Sequence, residues 1–182
     1  MQTHLALLRG INVSGKKLIK MEDLRNPMEQ SGFENVKTYI QSGNVIFDSE
    51  ETSKVKLAQS IKDLIFDYYG FDVGIVMLDG KMLEKAILEN PFVIENNVDL
   101  KQLYVAFLSE KPSEDNHERM KLANIDNDIA LLSGEVMYLK YDSNAGNSKL
   151  STNLIENKLK VTATSRNWNT TLKLLDLLKE RK

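Results

Sequence analysis

The chain has 182 residues, with 24 basic and 26 acidic side chains, a formal net charge of −2 and no cysteine. Its length suits one domain or two small ones, and near-neutrality removes any long-range pull of the whole molecule on polyanions. The lack of thiols excludes disulfides, thiolate nucleophiles and thiolate metal ligands, and points to a reducing compartment.

Residues 1–9 have no basic start and only a short apolar run, Leu5 to Leu8, so they read as neither signal peptide nor membrane span, and a cytoplasmic protein is expected. A first strand is expected over 4–13, running into a loop that carries Gly10, Gly15, Lys16 and Lys17. Met21, Leu24 and Met28 recur at helical spacing and Gly32 supplies a stop, while Pro27 predicts a kink or a late helix start. Strands at 36–41 and 45–48 flank Ser42-Gly43-Asn44 and read as a hairpin, because glycine supplies the positive φ the turn needs. Thr52 or Ser53 caps the next helix, whose inward face is read as Val55, Ala58, Ile61, Leu64 or Ile65 and Tyr68, and Gly70 ends it. A strand over 72–78 completes the order βαββαβ.

A connecting helix over 81–90, closed by Pro91, precedes what reads as the same pattern again. Strand 102–108 is followed by a short acidic helix capped by Ser113, a hairpin of 129–132 and 136–141 around Ser133-Gly134-Glu135, helix 149–159, strand 161–165 and a Leu-rich helix 170–178. The expected fold class is therefore α+β: two ferredoxin-like βαββαβ subdomains related by structural duplication, with mainly antiparallel sheets. They are expected at 1–79 and 101–182, joined by a helix and linker over 80–100. From 149 onward Lys and Arg outnumber acids, which reads first as Lys179, Arg181 and Lys182 complementing a helix C-terminus.

At Leu7-Leu8-Arg9-Gly10-Ile11-Asn12-Val13 and again at 38–47, Asn90-Pro91-Phe92, Ser148-Lys149-Leu150 and 162–170, the chain resembles the bacterial domain-of-unknown-function (DUF) family 1697. The resemblance implies a pair of ferredoxin-like subdomains and no assigned reaction, substrate or cofactor. Ser14-Gly15 stands where that family more often has Gly-Gly. The loop before Ser148 lacks an expected basic residue, which weakens a phosphate site there.

Gly10, Gly15 and Lys16, followed by Lys17, fall one residue short of a phosphate-binding P-loop, with Asp79 ending a strand that could pass for its magnesium-binding partner. The hydroxyl that should follow the lysine is missing, and early hairpins contradict the parallel sheet of such folds, so nucleotide hydrolysis is not expected. Backbone N–H groups of a Gly-rich loop can still hold an anion, with Lys16, Lys17 and Lys20 adding charge. Neighbouring first and third strands would bring Arg9, Gly10 and Asn12 to Gln41, Ser42 and Asn44. The plainer reading is that Asn12 and Asn44 satisfy turn backbone and Arg9 pairs with an acid.

In the second half Arg166 and Asn167 beside Ser148 and Lys149 could make another anion site, while Trp168 reads as a core or interface anchor. Tyr104, Phe107, Tyr138 and Tyr141 raise an RNA-stacking reading against core and rim packing. Only His4 and His117 exist, so zinc or a Ser-His-Asp triad is not expected, and no cofactor is called for. Glu22-Asp23 and Glu50-Glu51 fall at helix starts and read as partners of helix dipoles. The reading that uses most of these residues is a binding protein for a phosphate-bearing ligand, a nucleotide or single-stranded nucleic acid, with no membrane partner. The alternatives are an enzyme acting on a small phosphorylated metabolite in an inter-subdomain cleft, clamped by Arg9 and Arg166, and a protein-interaction module.

Overall fold

Residues 1–94 and 99–181 are described by the computed structural model, so Lys182 and the centre of the expected linker lie outside the described residues. The elements follow in the order β1 (Gln2–Leu8), α1 (Arg25–Gln30), β2 (Glu34–Tyr39), β3 (Asn44–Ser49), α2 (Lys54–Tyr69), β4 (Ile75–Leu78), α3 (Gly80–Leu88), α4 (Pro91–Ile94), β5 (Leu103–Leu108), α5 (Glu114–Lys121), β6 (Ile129–Ser133), β7 (Val136–Lys140), α6 (Thr152–Leu159), β8 (Ala163–Asn167) and α7 (Trp168–Lys179). This is an α+β protein with two four-stranded antiparallel sheets, ordered β2-β3-β1-β4 and β6-β7-β5-β8. Two compact units divide the chain: Met1–Leu83 with Leu174–Lys182, and Glu84–Lys173. The last residues therefore group with the first unit, where the sequence reading had placed them in the second.

In the first unit β1 lies between β3 and β4, and its side chains alternate between the two faces of the sheet. Ala6 and Leu8 join Val45, Phe47, Ile75 and Met77 in one core with Leu57, Ile61, Leu64 and Ile65 of α2. Ser53 accepts a hydrogen bond from the Lys56 N–H to cap α2, and Gly70 ends it at a φ of 76°. Val55 and Tyr68 are exposed rather than inward. The buried stripe starts at Leu57, and Val55 lies about 200° from it around the helix. Pro27 falls in the first turn of α1, where its missing N–H costs nothing, so the helix starts late instead of kinking. Arg181 was expected to serve its own helix end; instead its guanidinium lies 3.5 Å from Asp48 and donates to the Asn35 carbonyl.

His4 is 1% exposed on the core face of β1, its ring 5.6 Å from that of Phe47, and neither ring nitrogen makes a well-formed hydrogen bond. Burial lowers its pKa, against the opposing pull of a Glu51 backbone group and the Asp79 and Asp48 carboxylates. Because the folded value is depressed, the unfolded chain takes up the proton first as pH drops. Stability is complete above the ordinary value of 6.5 and is lost as the pH falls from there towards the folded value. His4→Phe keeps a ring beside Phe47 and removes both orphan nitrogens. It is expected to stabilise the fold by about 1 kcal/mol and to flatten the pH dependence between roughly pH 7 and 5. Urea unfolding at a series of pH values checks this, and an unchanged slope would assign the titration to another group.

In the second unit β5 takes the central place, between β7 and β8. Ala106, Leu108, Met137, Leu139 and Ala163 pack with Met120 of α5 and Ile155 and Leu159 of α6. Ser113 and Ser151 cap α5 and α6 through the N–H groups of Asn116 and Leu154. The strand expected at 161–165 runs on to Asn167, and α7 begins at once with Trp168.

Candidate functional site: the braced loop after the first strand

The pairing of β1 with β3 sets Leu7 opposite Asn44, and the Leu8 and Arg9 N–H groups donate to the carbonyls of Gly43 and Gly74, both at 2.8 Å. The end of the first strand thus meets the turn at 40–43, as expected. Beyond Arg9 the chain forms its own small hairpin: Lys16 N–H donates to Val13 at 3.0 Å and Asn12 N–H to Lys17 at 3.1 Å. The Asn12 side chain closes it. Its Nδ2 donates to the Ile19 carbonyl at 2.8 Å and to the Gln41 carbonyl at 2.7 Å, while its Oδ1 accepts the Ile19 N–H at 2.9 Å.

The turn is held from within in the same manner. Buried Asn44 donates to the Tyr39 carbonyl and to Ser42 Oγ, each at 3.0 Å, and Gln41 Oε1 accepts the Met21 N–H at 3.3 Å. Gly43 has φ of 82°, and a Cβ there would meet Leu8 Cβ at 2.7 Å, so only glycine fits. The amides of Asn12 and Asn44 are therefore structural braces, as the plainer reading had it. Nor does the loop lead into a helix N-terminus, as a cradle of that kind requires: turns at 21–24 intervene before α1.

Among the described residues seven non-glycine residues have positive φ, and Asn12, Ser14, Lys17 and Ile40 are four of them, which concentrates left-handed backbone in this loop and turn. For the β-branched Ile40, at φ of 48°, that conformation is a true outlier. The surface so formed is mixed. Val13, Leu18 and Ile40 expose apolar side chains, and Lys16 and Lys20 are exposed beside them, with Lys20 paired to Glu22 at 2.7 Å. Lys17 turns aside, its ammonium donating to the Asp72 carbonyl.

The second candidate cluster is occupied within the protein. Arg166 is 6% exposed and donates to Thr164 Oγ1 and to the Ser165 carbonyl, both at 2.8 Å; burial lowers its pKa to about 10, which leaves it a cation at neutral pH. Asn167 caps α7 by accepting the Thr170 N–H at 2.8 Å, and Trp168 is buried. Ser148 donates to Asp128 and accepts the Leu150 N–H, while Lys149 pairs with Asp126 at 2.8 Å.

The aromatic candidates offer no stacking platform. Phe47, Phe107, Tyr138 and Tyr141 are buried, Tyr104 packs edge-on against Tyr141 at 5.1 Å, and the Tyr141 hydroxyl donates to the Leu150 carbonyl. Asp79 caps α3 through the Met82 N–H at 2.9 Å and lies 3.4 Å from Lys54. Among the described residues no group of three His, Asp or Glu side chains is placed to hold a metal ion, and no helix is long and apolar enough to cross a membrane. The sequence reading missed an open cleft of about 460 Å³ lined by Ser31, Phe33, Ser49, Glu51, Leu57 and Ser60 among others. Common residues from three separate segments form it, and no local motif marks them.

These observations define an α+β protein with two antiparallel sheets of matching strand order and one braced, strained surface loop. The chain belongs to the DUF1697 family, described as a protein of unknown function, whose model matches residues 1–138. A conserved bacterial protein from Streptococcus pneumoniae has a similar solved structure, with a TM-score of 0.75 and 23% sequence identity over 97% of this chain and 98% of that one. A likeness at that identity bears on the fold alone. No curated protein matches the sequence.

Proposed function

We propose that the chain is a binding protein for a phosphate-bearing ligand, with loop 10–18 and turn 40–43 as its recognition surface. The observation that carries this is the concentration of left-handed non-glycine residues in two segments that the Asn12 side chain ties together. Strain of that kind persists only where the surroundings over-determine it, and it collects at binding sites. Lys16 supplies exposed charge there, Lys20 being paired with Glu22, while Ser14 and Gly15 offer main-chain groups at the tip. The strand aromatics Phe47, Phe107, Tyr138 and Tyr141 are buried, so a nucleic acid at this loop would be gripped through its phosphates. The Arg9 N–H ties the base of the loop to the Gly74 carbonyl and Gly10 follows it at a φ of 67°, while Arg166, Asn167, Trp168, Ser148 and Lys149 serve the second unit's own structure.

The same reading takes each half as a ferredoxin-like βαββαβ subdomain and the chain as a duplication. The matching strand orders of the two sheets support it, with the first strand between the third and fourth and the second outermost. The divisions proposed are 1–79, 80–100 and 101–182, with residues 174–182 grouping with the first unit. A reducing, cytoplasmic setting fits a chain without cysteine.

The test is a thermal-shift and NMR titration with inorganic phosphate, nucleoside triphosphates and short oligonucleotides at two salt concentrations. The expected result is a rise in melting temperature that weakens with salt, with resonance shifts at Gly15 and Lys16. Lys16→Glu should leave the fold intact and weaken binding by about tenfold. If none of these probes moves the Gly15 and Lys16 resonances, the reading is wrong.

A further inference from the structure

The open edge of the second sheet points to self-association. β6 is the outermost strand of that sheet, with no strand beyond it among the described residues. Its hairpin with β7 sets Ser133 opposite Val136, and on the far side of β7 the Glu135 carbonyl accepts the Leu108 N–H at 2.9 Å. Hydrogen-bonding direction alternates along an antiparallel ladder. Ile129, Leu131 and Ser133 therefore bond to β7, and Ala130 and Leu132 turn their N–H and C=O groups to the open edge.

Exposed edges are normally blunted by charge, proline or a bulge. The outermost β2 of the first sheet has such protection: Glu34 and Lys37 flank a register shift that contains left-handed Asn35. By contrast β6 reads Ile-Ala-Leu-Leu-Ser, without charge or proline, in unbroken register with β7. Ile129 and Leu131 are exposed on one face of it. On its other face Ala130 and Leu132 join Met120, Ile125 and Met137 around a pocket of about 210 Å³ that His117 and Lys121 also line.

We propose that β6 pairs with β6 of a second copy of this chain about a twofold axis through Leu131, joining two sheets into one. Among the registers the outward groups allow, this one alone pairs both Ala130 and Leu132 with residues of β6 itself. Ala130 faces the second copy's Leu132 and Leu132 its Ala130, which supplies about four main-chain hydrogen bonds. Side-chain sizes agree at each position. Leu131 meets its own counterpart, Ile129 meets a serine, and the incoming leucine lies over Ala130 at the mouth of the pocket. A strand with no charge has no like-charged pair to oppose its own image. The contact is isologous and closes at two copies. It is small, so association should be weak and dependent on concentration.

Analytical ultracentrifugation of the full chain over a wide concentration range is expected to show its mass rising towards that of a dimer. Leu131→Lys, which sets two ammonium groups face to face at a position 42% exposed, should hold it monomeric with an unchanged circular dichroism spectrum. Leu122→Lys, at a site 85% exposed beyond the end of α5, should dimerise like the parent. Because the chain has no cysteine, Leu131→Cys should cross-link to itself under mild oxidation, since paired side chains at a non-hydrogen-bonded position come within reach of a disulfide. Leu122→Cys should stay uncross-linked. A mass that never rises, a dimer indifferent to Leu131→Lys, or equal cross-linking of the two cysteine variants overturns the proposal.

Discussion

Gly43→Ala is expected to destabilise the protein by about 3 kcal/mol, from roughly equal contributions of a left-handed alanine and an overpacked contact. The tightest clash is with a backbone-proximal atom: the new methyl group would lie 2.7 Å from Leu8 Cβ, and 3.0 Å from Cγ1 and Cδ1 of Ile11. Leu8 belongs to the central strand and cannot retreat without breaking the bond from its N–H to the Gly43 carbonyl. Urea unfolding checks the magnitude. Gly134→Ala is the matched control, since it also has positive φ but an added Cβ there meets nothing within 4 Å. It should cost only the conformational share, about 1–2 kcal/mol. If the two glycine variants behave alike, close approach to β1 is not what requires Gly43.

Asn12→Ala should cost about 2–3 kcal/mol, because it strands the Ile19 N–H and two carbonyls and places alanine where asparagine tolerates a φ of 54°. Its local effect should exceed its global one. The Ile19 amide, protected through Asn12 Oδ1, should exchange its hydrogen far faster, and the loop should lose the order on which ligand capture depends. Asn12→Asp keeps the acceptor for Ile19 and loses both donated bonds, so it should fall between wild type and alanine. Unchanged Ile19 exchange in Asn12→Ala would show that the main-chain bonds alone close the loop.

Much of the architecture was legible because local signals agreed with one another. Ser53 and Gly70 bracket α2 as a cap and a left-handed stop, and the two hairpins announce themselves through Gly43 and Gly134. With the element order known, antiparallel pairing placed the end of β1 beside the turn before β3, and Leu7 does stand opposite Asn44. The condition of the site was not legible. Nothing in the sequence around Ile40 marks it as left-handed, since β-branched residues avoid that region. Whether an asparagine faces a ligand or its own backbone depends on contacts such as that of Asn12 with Gln41, made between segments far apart in sequence. An arginine at a strand end reads as exposed, yet Arg166 is buried, with Thr164 and the Ser165 carbonyl meeting its guanidinium. The helix face of α2 was misjudged at Val55 because a valine at a first turn is consistent with either side of the stripe.

The grouping of residues 174–182 with 1–83, sealed by Arg181 on Asp48 and Asn35, has a bearing on synthesis. Translation delivers the N-terminal sheet first, but its closing segment only after the whole of 84–173. The continuous unit 84–173 can therefore complete itself while the older one still waits. A nascent chain arrested just after residue 173 would carry a finished second half and an open first half, with the Asp48 carboxylate lacking the Arg181 guanidinium. Maturation of the earliest-made part thereby waits on residues made after the second unit is complete.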